Sequence, residues 1–488
     1  MKLENYFDEF RNKTIGIDSY FDSPFGKKKI VYADWTASGR AYKDIELKLY
    51  NDIVQCIGNT HTETSFTGSV MTLSYHKALQ VIKNHVNADK NDVIISQFSG
   101  MTGVVNKLQR ILGLKVHEKH RDFIITQNIE KPIIFITHME HHSNQTSWLE
   151  TIADVEIIKP NSDGLVDLED FSCLLDKYKD RTLKIAAVTS CSNVTGVCTP
   201  YYQIAEMIHK EGGYCFVDFA ASAPYINIDM HPENKLQSLD AIYFSPHKFL
   251  GGPGSTGILI FNKELYHNTV PDQPGGGTVK WTNPWGGHSY LDDIQSREDG
   301  GTPAFLQTIR AALAINLKEK MSVEKIQARE NEILKQIWER LLKIDGLQIL
   351  SANNTKRLGI ISFCIKGLHY NLAVKLLNDR FGIQVRGGCS CAGTYGHYLL
   401  NIDKNYSNSV AIKINEGDLT EKMGWVRLSI HPIMTDATID YICSAIEQIC
   451  EYYEEWKQDY TYNNHTNEFY YKGEDKYTHN LTESWFQL

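Results

Sequence analysis

An α/β fold built on a mainly parallel sheet is what this sequence predicts, and two observations predict it. Between residues 92 and 261, short apolar runs alternate with amphipathic stretches of helical period such as 201–210, the pattern of strands buried on both faces beneath flanking helices. Polar and charged residues fall directly after those runs, at the carboxyl ends where open α/β sheets bind their ligands. The strand candidates, in order, are 93–95, 133–137, 185–189, 214–217, 241–244 and 257–261. A glycine-rich loop region follows, from Gly275-Gly276-Gly277 to Gly300-Gly301. A long helical pattern at 323–344 then leads into a second, smaller α+β unit, with strands at 358–365 and 425–430 and helices at 371–380 and 436–454. The end of the chain, 457–488, is polar, aromatic and weakly periodic, and points to no function.

A chain of 488 residues has room for roughly two or three domains and a large core. Its net charge of −9, with no basic block, attracts neither nucleic acid nor an anionic membrane surface. No apolar run approaches the ~20 residues that cross a bilayer, and the first residues are too charged for a secretory signal. A cytoplasmic protein with small-molecule or protein partners is expected. The 10 cysteines should then be mostly reduced. Cys215 and Cys364, inside apolar strands, read as core residues, whereas Cys389 and Cys391 stand apart.

The chemistry centres on Ser245-Pro246-His247-Lys248, between the run 241–244 and a glycine-rich stretch ending at Gly257. A lysine there can anchor a carbonyl cofactor as a Schiff base; a lysine at a strand end is also ordinary surface chemistry. About 30 residues upstream, Tyr214-Cys215-Phe216-Val217 ends in Asp218. A carboxylate at the end of a buried parallel strand can keep a pyridinium nitrogen protonated, although an aspartate after a strand also serves as a helix cap. Together the two residues read as a pyridoxal phosphate site. Ser99-Gly100-Met101-Thr102-Gly103 lies between a strand and a helical pattern, where free backbone N–H groups bind phosphate and Thr102 adds a hydroxyl. Arg427, in the otherwise apolar run Trp425-Val426-Arg427-Leu428-Ser429, wants a carboxylate, either a substrate's or one from an internal salt bridge.

Five separated stretches carry a family resemblance: Glu140-His141-His142-Ser143-Asn144, Ser192-Asn193-Val194-Thr195-Gly196, Val217-Asp218, Ser245-Pro246-His247-Lys248 and Arg386-Gly387-Gly388-Cys389-Ser390-Cys391. In this order they resemble the class V pyridoxal phosphate enzymes, and most nearly the SufS-type cysteine desulfurases and selenocysteine lyases, from about residue 31 to about 450. The resemblance implies a fold-type I architecture with a mainly parallel seven-stranded sheet. It also implies a large cofactor domain at 31–320, a small α+β domain at 321–456, an N-terminal segment 1–30 that packs with the small domain, and a tail at 457–488. It assigns Lys248 to the cofactor aldehyde and Asp218 to its ring nitrogen. Met101, Thr102, Ser245 and His247 go to its phosphate, and Thr278 to the phosphate of a partner subunit's site, hence a homodimer. His141 would stack on the ring and shuttle a proton, a task suited to a side chain that titrates near neutrality. Asn193 would bond the cofactor's phenolic oxygen or the substrate, Arg427 the substrate carboxylate, and Cys391 would take the sulfur.

Two departures stand out. The glutamine that SufS-type enzymes carry three residues after the aspartate is Ala221 here, with Ser222 next, and the segment 394–422 is much longer than theirs and is expected to be a lid over the site. No metal is expected, yet Cys389 and Cys391 with His397 also have the look of metal ligands, or of a redox couple. The expected function is a cysteine desulfurase-like enzyme that releases sulfur or selenium, leaving alanine and a cysteine persulfide, with a protein as a further sulfur acceptor. Another class V reaction, such as C–S β-elimination, transamination or epimerisation, and a non-catalytic sulfur-relay scaffold are the alternatives.

Overall fold

The computed structural model describes residues 2–126, 130–473 and 477–487. Seven strands form the central sheet: β1 (Asp92–Gln97), β2 (Ile133–Thr137), β3 (Asp154–Ile158), β4 (Lys184–Thr189), β5 (Tyr214–Asp218), β6 (Ala241–Phe244) and β7 (Gly257–Asn262), in the order β1-β7-β6-β5-β4-β2-β3. The interior strands pair in parallel, and only β7 runs antiparallel to its neighbours β1 and β6. Six strands lie on the expected runs. The seventh, β3, is a half-exposed edge, where Glu156 meets Lys177 at 2.7 Å and Asp154 meets Arg181 at 2.8 Å. Such charges protect an edge from further pairing and also break up the apolar run that would have announced the strand.

Strand residues alternate between two apolar layers, which is the period-two rule of a sheet covered on both faces. Ile133, Phe135, Ala186, Val188, Cys215 and Val217 join the larger core, while Ile134, Ile136, Ile185, Ala187, Phe216 and Tyr243 join a second core on the other face. The helix Val323–Leu341 leads into a four-stranded antiparallel sheet of β8 (Leu347–Ile349), β9 (Ile360–Ile365), β10 (Arg386–Gly388) and β11 (Trp425–Ser429), in the order β8-β9-β11-β10. The helices Tyr370–Phe381 and Asp436–Trp456 accompany it. The first of them ends at Gly382, whose left-handed φ of 72° and close approach to Lys29 O leave no room for a Cβ. The chain's beginning is tied to the same unit: Arg11 Nε donates to Ile433 O at 2.5 Å, and the residues Val31–Tyr32 pair in parallel with Ile383–Gln384.

The weakly periodic C-terminal segment contains a hairpin, Tyr460–Asn463 with Glu468–Tyr471, docked on Tyr370–Phe381. Tyr460 Oη donates to Asp379 Oδ2 at 3.0 Å, and Asn467 Nδ2 donates to Tyr370 Oη at 2.6 Å. Among the described residues, no helix is long and apolar enough to cross a membrane.

Candidate active site

Five loops leaving the carboxyl ends of β1, β2, β4, β5 and β6 converge with β10 and β11 on one cavity of about 490 Å³. Lys248 closes the 3₁₀ turn Pro246–Lys248 after β6. The turn is held from outside by Gly39, whose N–H donates to His247 O at 2.9 Å and whose Cβ, if it had one, would overlap Phe249 O. Burial pushes the Lys248 amine down to about 8; the Asp218 carboxylate opposes that shift, and the guanidiniums of Arg427 and Arg386 add to it.

Asp218 is the last residue of β5, next to β6 in the sheet. Its Oδ1 accepts the Ala220 N–H at 2.8 Å. Burial lifts its carboxyl to about 6, against that hydrogen bond and the charge of Lys248. Below it the buried Glu140 laces β2 to β4, accepting from Thr137 Oγ1 at 2.7 Å, Thr189 N at 2.8 Å and Asn144 Nδ2 at 2.8 Å. Its carboxyl is raised by burial to about 7.

His141 caps the helix His142–Leu149, its Nδ1 accepting the Ser143 N–H at 3.1 Å, which puts the ring proton on Nε2. Burial, helped by Lys248, pushes this imidazole down to about 3. Burial thus works against the expected titration near neutrality, and the hydrogen bond accepted at Nδ1 favours the Nε2–H tautomer. Across the cavity, Ser245 Oγ accepts the Met101 N–H at 2.9 Å at the start of the helix Met101–Ile111. The next amides, of Thr102 and Gly103, have no partner within the helix. The Thr102 hydroxyl pairs with Ser143 Oγ at 2.7 Å, and a Cβ on Gly100 would stand 3.5 Å from the His247 ring.

Cys391 lines the cavity and is exposed, whereas Cys389 is half-buried against the core. Ser390 and Cys391 both adopt left-handed backbone, at φ 52° and 56°, which non-glycine residues rarely do. The surroundings enforce it. Asn193 Nδ2 donates to Ser390 O at 2.7 Å, and His142 N donates to Cys391 O at 2.7 Å. Asn193 Oδ1 is buried without a partner. Ala221 lines the cavity with no polar atom to offer, and Ser222 turns away to bond Ser190 Oγ, so neither replaces the missing glutamine.

Arg427 has a structural partner. Its Nη2 meets Asp34 Oδ1 at 2.7 Å and its Nη1 donates to Asn193 O at 3.3 Å, while Nε is buried and unpaired. This is the internal salt bridge, so the free carboxylate receptor expected at this position is corrected. Sequence reasoning passed over both Asp34 and Arg386. Arg386 faces Arg427 across the β10–β11 ladder, is exposed and lines the cavity, and its side chain makes no hydrogen bond or ion pair among the described residues. Its place three residues before Cys389 was the available signal.

The expected lid and the metal reading meet a different arrangement, whereas the place expected for Thr278 is a partner subunit's site. Thr278 lies outside the cavity of its own chain, buried, its hydroxyl donating to Gly275 O at 2.7 Å. No residue of 394–422 lines the cavity, so the segment is not a lid. Its helix Gly393–Leu399 packs between Trp425 of β11, at Gly396, and His138, at Tyr395 and Tyr398, and after the helix Lys404–Asn415 the Leu419 N–H donates to Asn464 O of the C-terminal hairpin at 2.9 Å. Both ring nitrogens of His397 are engaged inside that segment, with Gly393 O at 2.7 Å and Ser407 Oγ at 2.8 Å, leaving none to join Cys389 and Cys391 in a metal site.

The aminotransferase class-V family model matches residues 31–442. A probable cysteine desulfurase of Staphylococcus epidermidis is 30% identical over 372 residues, covering 75% of this chain and 84% of that protein. One from Staphylococcus aureus is 27% identical over 455 residues, covering 92% of this chain and 98% of the relative. Among solved structures, a cysteine desulfurase from Escherichia coli superposes with a TM-score of 0.69 at 21% identity, covering 91% of this chain and 98% of that one. An apo cysteine desulfurase from Thermococcus onnurineus gives 0.69 at 22%, covering 86% and 95%.

Proposed function

The chain belongs to the aminotransferase class-V family, and we propose that it is a pyridoxal phosphate-dependent enzyme of the cysteine desulfurase type, freeing sulfur or selenium from cysteine or selenocysteine and leaving alanine. The observation that carries this reading is the meeting of Lys248 and Asp218, on adjacent strand ends, with Cys391 in one cavity. The cofactor fits the residues on the structure's own terms. The cavity offers a depressed lysine amine, a buried carboxylate with one oxygen left over, unpaired helix amides and an unpaired Asn193 oxygen.

Lys248 would hold the aldehyde, Asp218 the ring nitrogen, His141 the ring face, and Met101, Thr102, Ser245 and His247 the phosphate. When bound, the cofactor supplies an electron sink that lets the substrate's α-proton leave. Everything else falls to the chain. Lys248, with its amine brought down to about 8, is partly neutral at pH 7 and serves as the base. Arg386 takes the substrate carboxylate, while Arg427 stays paired with Asp34. The Cys391 thiolate attacks the substrate sulfur; the Cβ–S bond breaks with its electron pair left on carbon, which is protonated to alanine, and the sulfur stays on Cys391 as a persulfide. The proposal includes a cytoplasmic homodimer, in which Thr278 serves the neighbouring site, and a protein acceptor for the sulfur.

The test is incubation with cysteine followed by product analysis and mass spectrometry of the 386–391 region. Alanine, with a sulfur atom added at Cys391 and lost in Cys391→Ser, is expected; Cys389→Ser should retain turnover. A second class V outcome, β-elimination, is favoured by Ala221, which offers the cavity no donor. Pyruvate and sulfide, formed equally by Cys391→Ser, would select it.

A further inference from the structure

Past Thr189, β4 runs into a tight hairpin whose base holds two cysteines. Ser192 N donates to Val197 O at 2.9 Å and Thr199 N donates to Ser190 O at 3.0 Å. Between these two bonds, Cys191 faces Cys198 as an antiparallel bridge pair. A facing pair flanked in this way is the non-hydrogen-bonded kind, whose Cα atoms approach to about 4.5 Å. That separation lies inside the window of about 4.4–6.8 Å that disulfides span. The side chains of such a pair project from the same face, and here each thiol otherwise reaches only a backbone carbonyl of the hairpin, Cys191 Sγ that of Ser192 at 3.5 Å and Cys198 Sγ that of Gly196 at 3.8 Å. They differ in environment: Cys191 is completely buried, while Cys198 belongs to the surface.

The hairpin above them joins the two halves of the molecule. Ser362 Oγ donates to Val194 O at 2.7 Å, Arg357 Nη1 to Thr195 O at 2.9 Å and Leu358 N to Gly196 O at 2.9 Å. Gly196 is left-handed at φ 73°, and a Cβ there would overlap Leu358 O. Asn193, at the start of the same turn, supports the Ser390-Cys391 backbone. A covalent bond across the hairpin's base would therefore fix the support of the cavity wall without using any group that the proposed chemistry needs.

We infer that Cys191 and Cys198 form a reversible dithiol–disulfide site, oxidised by small disulfides of the glutathione type. The exposed Cys198 opens the exchange. Its thiol is lowered by the neighbouring Cys191, whereas burial raises the Cys191 thiol, so Cys198 ionises first. The Cys198 thiolate attacks one sulfur of the small disulfide and expels one thiolate. Cys191, losing its proton, then attacks the Cys198 sulfur and expels the second half. Two protein thiols are oxidised, one external disulfide is reduced to two thiols, and no other reagent enters.

Glutathione disulfide added to the full-length protein tests this, followed by acid quench, alkylation and digestion. Cleavage after Lys184 and Lys210 leaves both cysteines in one peptide, 185–210. That peptide should be recovered unalkylated and lighter by two hydrogens, with two of the 10 thiols lost, a raised melting temperature, and full reversal by a thiol reductant. Cys198→Ser should abolish all of these changes. A stable glutathione adduct on Cys198 with Cys191 still alkylated would overturn the inference, as would a bond between Cys389 and Cys391 with 185–210 unchanged. Because the readout is a peptide mass, it stands whether or not the cofactor is bound.

Discussion

Removing Arg386 and Arg427 one at a time separates a substrate contact from a structural one. Among the described residues the Arg386 side chain has no partner, and it lines the cavity. If it holds a carboxylate by two charge-assisted hydrogen bonds, each at the low end of about 1.5–3 kcal/mol for an open position, Arg386→Ala loses about 3 kcal/mol, a hundredfold or more in kcat/KM. The loss should appear mainly in KM, with the melting temperature unchanged. Arg427 is buried, and its Nη2 neutralises Asp34, whose side chain is 19% exposed. Arg427→Ala strands that carboxylate, a change that costs about 3 kcal/mol of stability at the low end for a broken buried pair, and the melting temperature should fall. Steady-state kinetics with cysteine, paired with thermal unfolding of each variant, make the assay. Parent-like kcat/KM in Arg386→Ala would refute its role. A hundredfold loss in Arg427→Ala with unchanged melting would return the carboxylate to Arg427.

Lys248→Ala should abolish both the visible absorbance of the cofactor and turnover, and borohydride reduction of the parent followed by peptide mapping should find the cofactor on Lys248; another lysine would displace the assignment. Glu330 is buried, accepts the Gly359 N–H at 2.8 Å, and has its carboxyl raised by burial from 4.5 to about 8. The folded chain thus keeps a proton that the unfolded chain releases, so its contribution to stability is full below about 4.5 and is lost as pH rises through about 8. Glu330→Gln should flatten this dependence, and its advantage in melting temperature over the parent should grow from pH 5 to pH 8; a constant difference would show that the carboxyl is ionised in the fold. Replacing Lys404–Asn415 with a short linker should lower the melting temperature and leave substrate preference unchanged, since the segment packs away from the cavity; altered preference with intact stability would restore the lid.

The sheet was legible because its interior strands are apolar on both faces, and the residues that end them, Asp218 and the Ser245-Pro246-His247-Lys248 turn, could be placed from those runs alone. The edge strand Asp154–Ile158 escaped because its charges serve solvent and edge protection. Asp34 and Arg386 escaped for another reason. Their relation to Arg427 depends on cross-strand register and on a contact 393 residues apart in the chain, neither of which leaves a local pattern. The length of 394–422 showed an insertion but not the surface that it covers. For His141, residue type carried the expectation of titration near neutrality, and burial, a property of the whole fold, works against it.

The left-handed pair Ser390-Cys391 makes the Cys391 thiol a passenger on one sheet that is moored to another. Its strand neighbours belong to the four-stranded sheet, yet both carbonyls of the pair are gripped by donors that ride on the seven-stranded one, Asn193 and the His142 amide. The position of the Cys391 sulfur therefore depends on how the two sheets meet, because one and the same contact between them holds both carbonyls.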